Sequence, residues 1–196
     1  MRQAFAVIGL LGVLAAIHFF SLKNLYVTYD EWSHLRYGIR MLKGNSDRLD
    51  DSKTPITVLN AVPFQYFKKY SREDTNSLQY MTSHLWQARW VTVFFSLILG
   101  LVVYAFSRDI YGPLAGLFSL ALYVFEPTVT AHSQLVTNDL YSALTITLSV
   151  YTFWKFLSQG GFARGLVCAL FLGLSQVAKY SAIFLYPLFC IIAYLH

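Results

Sequence analysis

Residues 4–22 read AFAVIGLLGVLAAIHFFSL, without a single charge. A helix rising about 1.5 Å per residue over that length nearly covers the ~30 Å hydrocarbon core of a bilayer. Arg2 precedes the stretch, as in a secretory signal. The apolar run is, however, longer than a typical h-region, and no small-x-small cleavage site follows His18-Phe19-Phe20. The segment therefore reads as a retained signal-anchor helix. Just beyond it stands an acidic pair, Asp30-Glu31. A carboxylate placed where a span meets water can stay ionised and still face a substrate held in the membrane.

The rest of the composition agrees with a membrane chain. Of its 196 residues 56% are hydrophobic and 13% charged, and the mean hydropathy is +0.48. Soluble domains carry about 25% charged residues. The net charge of +5 does not point to nucleic acid, because ten of the fifteen Lys and Arg fall in residues 23–89 beside seven of the ten acids. That mixture is a membrane-surface signal aimed at lipid headgroups. Cys168 and Cys190 sit inside apolar runs, as small core residues with no disulfide framework.

Further apolar segments place spans near 90–107, 113–130, 139–157, 163–178 and 181–195, six in all with the first. The fold class is thus an all-α polytopic transmembrane bundle. With the N-terminus inside, Arg2, Arg108, Lys155 and Arg164 lie on the cytoplasmic side and Lys179 alone flanks a short external connection. That bias sets the orientation and makes 23–89 an external loop. Residues 1–196 end within an apolar segment, and we expect them to be the N-terminal part of a longer chain.

Inside the long loop, Leu35, Ile39 and Leu42 recur at helical spacing with Arg36, Arg40 and Lys43 on other faces, an amphipathic interfacial helix. Asp30 is the expected N-cap of that helix, with Glu31 in its first turn. A second helix is expected over 56–70 (ITVLNAVPFQYFKKY), with Pro63 as its break, and a polar turn over 44–52 joins the two.

Chemistry-bearing residues gather on the external side. The Asp30-Glu31 pair reads either as a helix cap or as a catalytic acid pair. Glu126, Asp139 and Lys179 are charges near span ends, where ionisable groups are costly and usually functional. A cation beside acids can hold a phosphate while a carboxylate acts as base; equally, Lys179 can pair structurally with Glu126 or Asp139. Arg89, entering the second span, can snorkel to headgroups or fix a lipid phosphate. Glu31-x-x-His34 places two ligand types one turn apart with Asp30 adjacent, and a divalent ion between Asp30 and Asp139 is conceivable, although no HExxH motif is present. GxSxG, P-loop, GxGxxG and CxxC signatures are missing, which disfavours nucleotide-driven chemistry.

Five ordered elements carry a resemblance. They are Tyr29-Asp30-Glu31-x-x-His34; Lys53-Thr54-Pro55; Ala88-Arg89 with Arg108-Asp109-Ile110-Tyr111-Gly112; His132-Ser133-Gln134-Leu135-Val136-Thr137-Asn138-Asp139-Leu140; and Gly173-Leu174-Ser175-Gln176-Val177-Ala178-Lys179-Tyr180-Ser181. Together they resemble the N-terminal portion of a GT-C glycosyltransferase of the protein O-mannosyltransferase and lipid A aminoarabinose transferase type. The resemblance implies transfer of a sugar from a polyprenyl-phosphate donor to a protein or glycolipid acceptor, at the external face of a bacterial inner membrane. It implies Asp30 as the acid that activates the acceptor, with Glu31 beside it and Asp139 as the second acidic position. Arg89 and Lys179 are then the donor-phosphate cations, and no nucleotide or redox cofactor is required, with a divalent metal left possible. The alternative is a non-catalytic transporter-like or lipid-binding membrane module, or an inactive relative.

The orientation has a direct test. A cysteine at Asn45 should be labelled by an impermeant thiol reagent added outside, and one at Gln159 should not. The reverse pattern would move the acidic pair to the cytoplasmic face.

Overall fold

The computed structural model describes residues 2–22, 24–44, 54–70 and 78–196. Lys53 and most of the expected 44–52 turn lie outside them. Among the described residues there is no strand. The helices are α1 (Arg2–Ser21), α2 (Tyr29–Leu42), α3 (Val58–Tyr70), α4 (Leu78–His84) and α5 (Trp86–Tyr111). They continue with α6 (Pro113–Phe125), α7 (Pro127–His132), α8 (Asp139–Gln159), α9 (Phe162–Ala178) and α10 (Leu185–Leu195). Short 3-10 turns, Pro55–Thr57 and Tyr180–Phe184, lead into α3 and α10.

Two stretches, Gln3–Ser21 and Thr82–Tyr111, are long and apolar enough to cross a membrane. Pro113–Phe125, Phe162–Ala178 and Tyr180–Leu195 are shorter apolar helices. Helix α8 is 21 residues long but carries many hydroxyls. Those of Ser142, Thr145 and Ser149 each donate to the carbonyl four residues earlier, at 2.7–2.8 Å. Hydroxyls satisfied inside their own helix can sit in a dry environment.

The segment expected to span 113–130 divides at Glu126-Pro127. Pro127 cannot donate the bond that would carry α6 onward, so it starts α7 instead, with Glu126 as N-cap. Pro63, by contrast, does not break the loop helix: it lies inside α3. Burial of Ala61 and Phe64 on either side holds that helix through the missing bond. Helix α2 begins two residues earlier than expected. Its N-cap is Thr28, and Asp30 lies at the second helical position.

Three apolar clusters organise the chain. Leu14, Leu99, Leu120, Val124 and Leu144 join α1, α5, α6 and α8. Leu35, Ala61, Phe64, Leu85 and Val136 seat the loop helices on the start of α5. Phe153, Cys168, Leu185 and Phe189 join α8, α9 and α10, with the rings of Phe153 and Phe189 stacked at 4.0 Å. Gly112, at φ 92°, turns α5 directly into α6, an angle that favours glycine.

Helix α2 lies so close to α3 that a Cβ at Gly38 would stand 2.6 Å from the Thr57 carbonyl oxygen and 3.0 Å from the Ala61 Cβ. Gly38→Ala should therefore destabilise the protein. Helix propensity favours alanine by about 1 kcal/mol, whereas overpacking against rigid backbone costs about 1–3 kcal/mol. The melting temperature in detergent should fall. An unchanged or raised value would mean that α2 stands off from the turn at 55–57.

Candidate functional site

The start of α2 is tied down by its buried member, Glu31. The Arg89 guanidinium grips that carboxylate in a fork, Nε to Oε1 at 2.8 Å and Nη2 to Oε2 at 2.7 Å. Their side chains are 3% and 0% exposed. The backbone N–H of Thr28 donates to Glu31 Oε2 at 3.1 Å and that of Val136 to Oε1 at 3.1 Å. Arg89 in turn donates to the carbonyl oxygens of Leu22, Leu25 and Tyr26, at 3.2, 2.9 and 3.0 Å. One ion pair thus clamps the end of α1, the head of α2, the start of α5 and the turn before α8. Glu31 has its oxygens filled by protein donors, and Arg89 can reach a phosphate only by giving up one of these bonds.

Asp30 is placed oppositely. It is exposed, and among the described residues no hydrogen bond or ion pair engages its carboxylate. The clamp anchors the neighbouring Glu31 and Thr28, and the Asp30 carboxylate stays open to solvent.

Asp139 and Lys179 meet, with Lys179 Nζ 3.1 Å from Asp139 Oδ1 and the two side chains 45% and 44% exposed. His132 Nδ1 stands 4.0 Å from the other Asp139 oxygen. Of the two pairings open to Lys179, this is the one formed. Glu126 is exposed and instead accepts from the Val129 backbone N–H at 2.5 Å. The peptide preceding Lys179 is anchored as well. The Ala178 carbonyl, an orphan at the end of α9, accepts from the Thr54 hydroxyl at 3.1 Å and from Asn138 at 3.5 Å.

An open groove of about 350 Å³ lies beside Asp139. Leu99, Val129, Leu140 and Ala143 wall it, and His132 and Asp139 stand at its rim. The clamp joins this groove to Asp30, since Val136, bonded to Glu31, lies three residues before Asp139. Among the described residues no group of three or more His, Cys, Asp or Glu gathers around a common point.

Asn60 was not foreseen. It lies fully buried and donates to the Ala88 carbonyl at 2.9 Å and the Thr92 hydroxyl at 2.8 Å, while Tyr141 donates to it at 2.7 Å. Its signal was a polar side chain in the middle of an apolar helix, ITVLNAVPF. The interactions sit behind the clamp and fasten α3 to α5 and α8.

The family model described as dolichyl-phosphate-mannose-protein mannosyltransferase matches residues 77–196, more than half of the chain. The match contains Arg89, Asp139 and Lys179; Asp30 and Glu31 precede it. No curated protein and no solved structure matches the chain.

Magnitudes separate the two ion pairs. Breaking a buried pair leaves an uncompensated charge and costs about 3–5 kcal/mol, whereas an exposed pair is worth about 0.2–1 kcal/mol. Glu31→Gln and Arg89→Leu should each lower the melting temperature in detergent sharply, and their combination should cost less than the sum of the two. Lys179→Ala should leave melting nearly unchanged. Additive losses at Glu31 and Arg89 would show that the two act independently.

Proposed function

The chain belongs to the dolichyl-phosphate-mannose-protein mannosyltransferase family, and we propose that it moves a sugar from a polyprenyl-phosphate donor to an acceptor hydroxyl. The observation that carries this reading is an exposed carboxylate, Asp30, tied through the Glu31–Arg89 clamp to the turn before an apolar groove, whose lining Asp139 pairs with Lys179. A protein or glycolipid acceptor would approach from the aqueous side, which the bias of basic residues makes the external one.

The prenyl chain would lie along Leu99, Val129, Leu140 and Ala143, with its phosphate at the rim. Lys179 would meet that phosphate by exchanging its contact with Asp139, at little cost because the pair is solvated. Asp30 would take the proton of the acceptor hydroxyl as its oxygen attacks the anomeric carbon. The bond from that carbon to the phosphate oxygen breaks, and polyprenyl phosphate departs as an anion beside Lys179. Asp139 orients the lysine, while Glu31 and Arg89 act as positioning residues.

Asp30→Asn keeps the shape and exposure of the side chain but cannot accept a proton. It should cut transfer by about 10²–10⁴-fold at saturating donor, with melting and membrane insertion unchanged. Near-normal transfer would move the base elsewhere, Asp139 being next, and would favour a lipid-binding module if no carboxylate matters. Lys179→Ala should weaken donor binding more than it slows turnover of bound donor. Unaltered donor binding would leave Lys179 as a structural partner of Asp139 only.

A further inference from the structure

The opposite end of the bundle holds a second cluster that the transfer reaction does not use. At the C-terminal end of α5, Asp109 accepts from the Tyr151 hydroxyl at 2.6 Å, lies 3.0 Å from Lys155 Nζ, and is bonded by its neighbour Arg108 at 2.8 Å. Lys155 also lies over the Tyr151 ring, 4.6 Å from its centroid. Beside this cluster a groove of about 190 Å³ opens between α8 and α9, lined by Thr152, Lys155, Ala163, Arg164 and Val167. Arg164 is exposed, and its one hydrogen bond to the protein among the described residues goes to the Gly160 carbonyl at 3.0 Å. Most of its N–H groups therefore face outward. Among the described residues of this cluster and groove, Arg108, Lys155 and Arg164 stand with one carboxylate, Asp109.

We propose that this groove binds an anionic phospholipid of the leaflet it faces, with the headgroup phosphate between Lys155 and Arg164. The occupant follows from the two characters of the lining. Ala163, Val167 and the methyl of Thr152 offer an apolar wall suited to an acyl chain, which a free phosphate would leave empty. Lys155 and Arg164 at the same opening supply the charge complementarity that a zwitterionic lipid would use less fully. Lys155 is held in place by Asp109 and the tyrosine ring, so its ammonium is oriented before the lipid arrives. Arg164 retains a planar face of donors for the phosphate oxygens. The groove lies at the far end from Asp30 and Lys179, so its occupancy is separate from donor binding.

The test is lipid retention by the purified protein in nanodiscs and by native mass spectrometry, titrated with phosphatidylglycerol, phosphatidylcholine and glycerol phosphate. Phosphatidylglycerol should be retained about five-fold over phosphatidylcholine, the effect of roughly one effective cation at the surface. Glycerol phosphate, which has the charge without the chains, should not compete. Arg164→Gln should abolish the preference with melting unchanged, because the native side chain bonds only a backbone carbonyl. Lys155→Gln should do the same, and if that variant folds poorly for want of its Asp109 contact, Arg164→Gln alone decides. Equal retention of the two lipids, competition by glycerol phosphate, or a preference that survives Arg164→Gln would each overturn the proposal.

Discussion

The buried pair of Glu31 and Arg89 is the constraint on which the remaining geometry depends. A charge taken out of water is costly unless its partner and its remaining hydrogen-bonding positions are filled. Here the guanidinium spends its donors on one carboxylate and three backbone carbonyls, and the carboxylate takes two backbone amides as well. The carbonyls of Leu22, Leu25 and Tyr26 belong to chain that has left α1 and has not yet entered α2. Without the arginine those groups would have no helix to satisfy them. The pair therefore folds a connection as much as it joins two helices, and it fixes where Asp30 stands.

Behind it, polar side chains do the work that apolar packing alone performs elsewhere. Asn60 and Tyr141 bind α3 to α5 and α8, and Ser96 joins Tyr123 and Ser133 at 3.0 and 2.8 Å. Such contacts are directional, so they fix register between helices whose apolar faces would tolerate sliding. The exposed pair of Asp139 and Lys179 is of the other kind. It stays wet, contributes little to stability, and can exchange partners, which is the property a binding site needs.

The helical membrane architecture was legible because uncharged runs and their polar separators are local signals. The connection expected between the spans at 139–157 and 163–178 falls at Gly160-Gly161, between α8 and α9, whereas α5 runs past its expected end at 107 to Tyr111. Roles that depend on distant partners were not legible. Glu31 and Arg89 lie 58 residues apart, and nothing in either neighbourhood announces that the arginine is saturated by protein. The cap of α2 was misread for a subtler reason. Asp30 is a good capping residue, but Thr28 followed three positions later by Glu31 forms the competing box, and burial of Glu31 decides between them. Glu126 was expected near the outer end of the third span, and the new helix that Pro127 starts makes it an exposed N-cap rather than a partner of Lys179.

The separation of the two clamp partners also orders the birth of the site. A ribosome adding about 5–20 residues per second needs roughly 3–12 s to travel from Glu31 to Arg89, and Val136 follows 105 residues after Glu31. During that interval the carboxylate has neither its guanidinium nor its second amide and must remain hydrated at the membrane surface. The α2 helix therefore cannot settle into its final seat before α5 is inserted. Assembly of the clamp is a late event in biogenesis, begun by the arrival of Arg89 and completed by that of Val136.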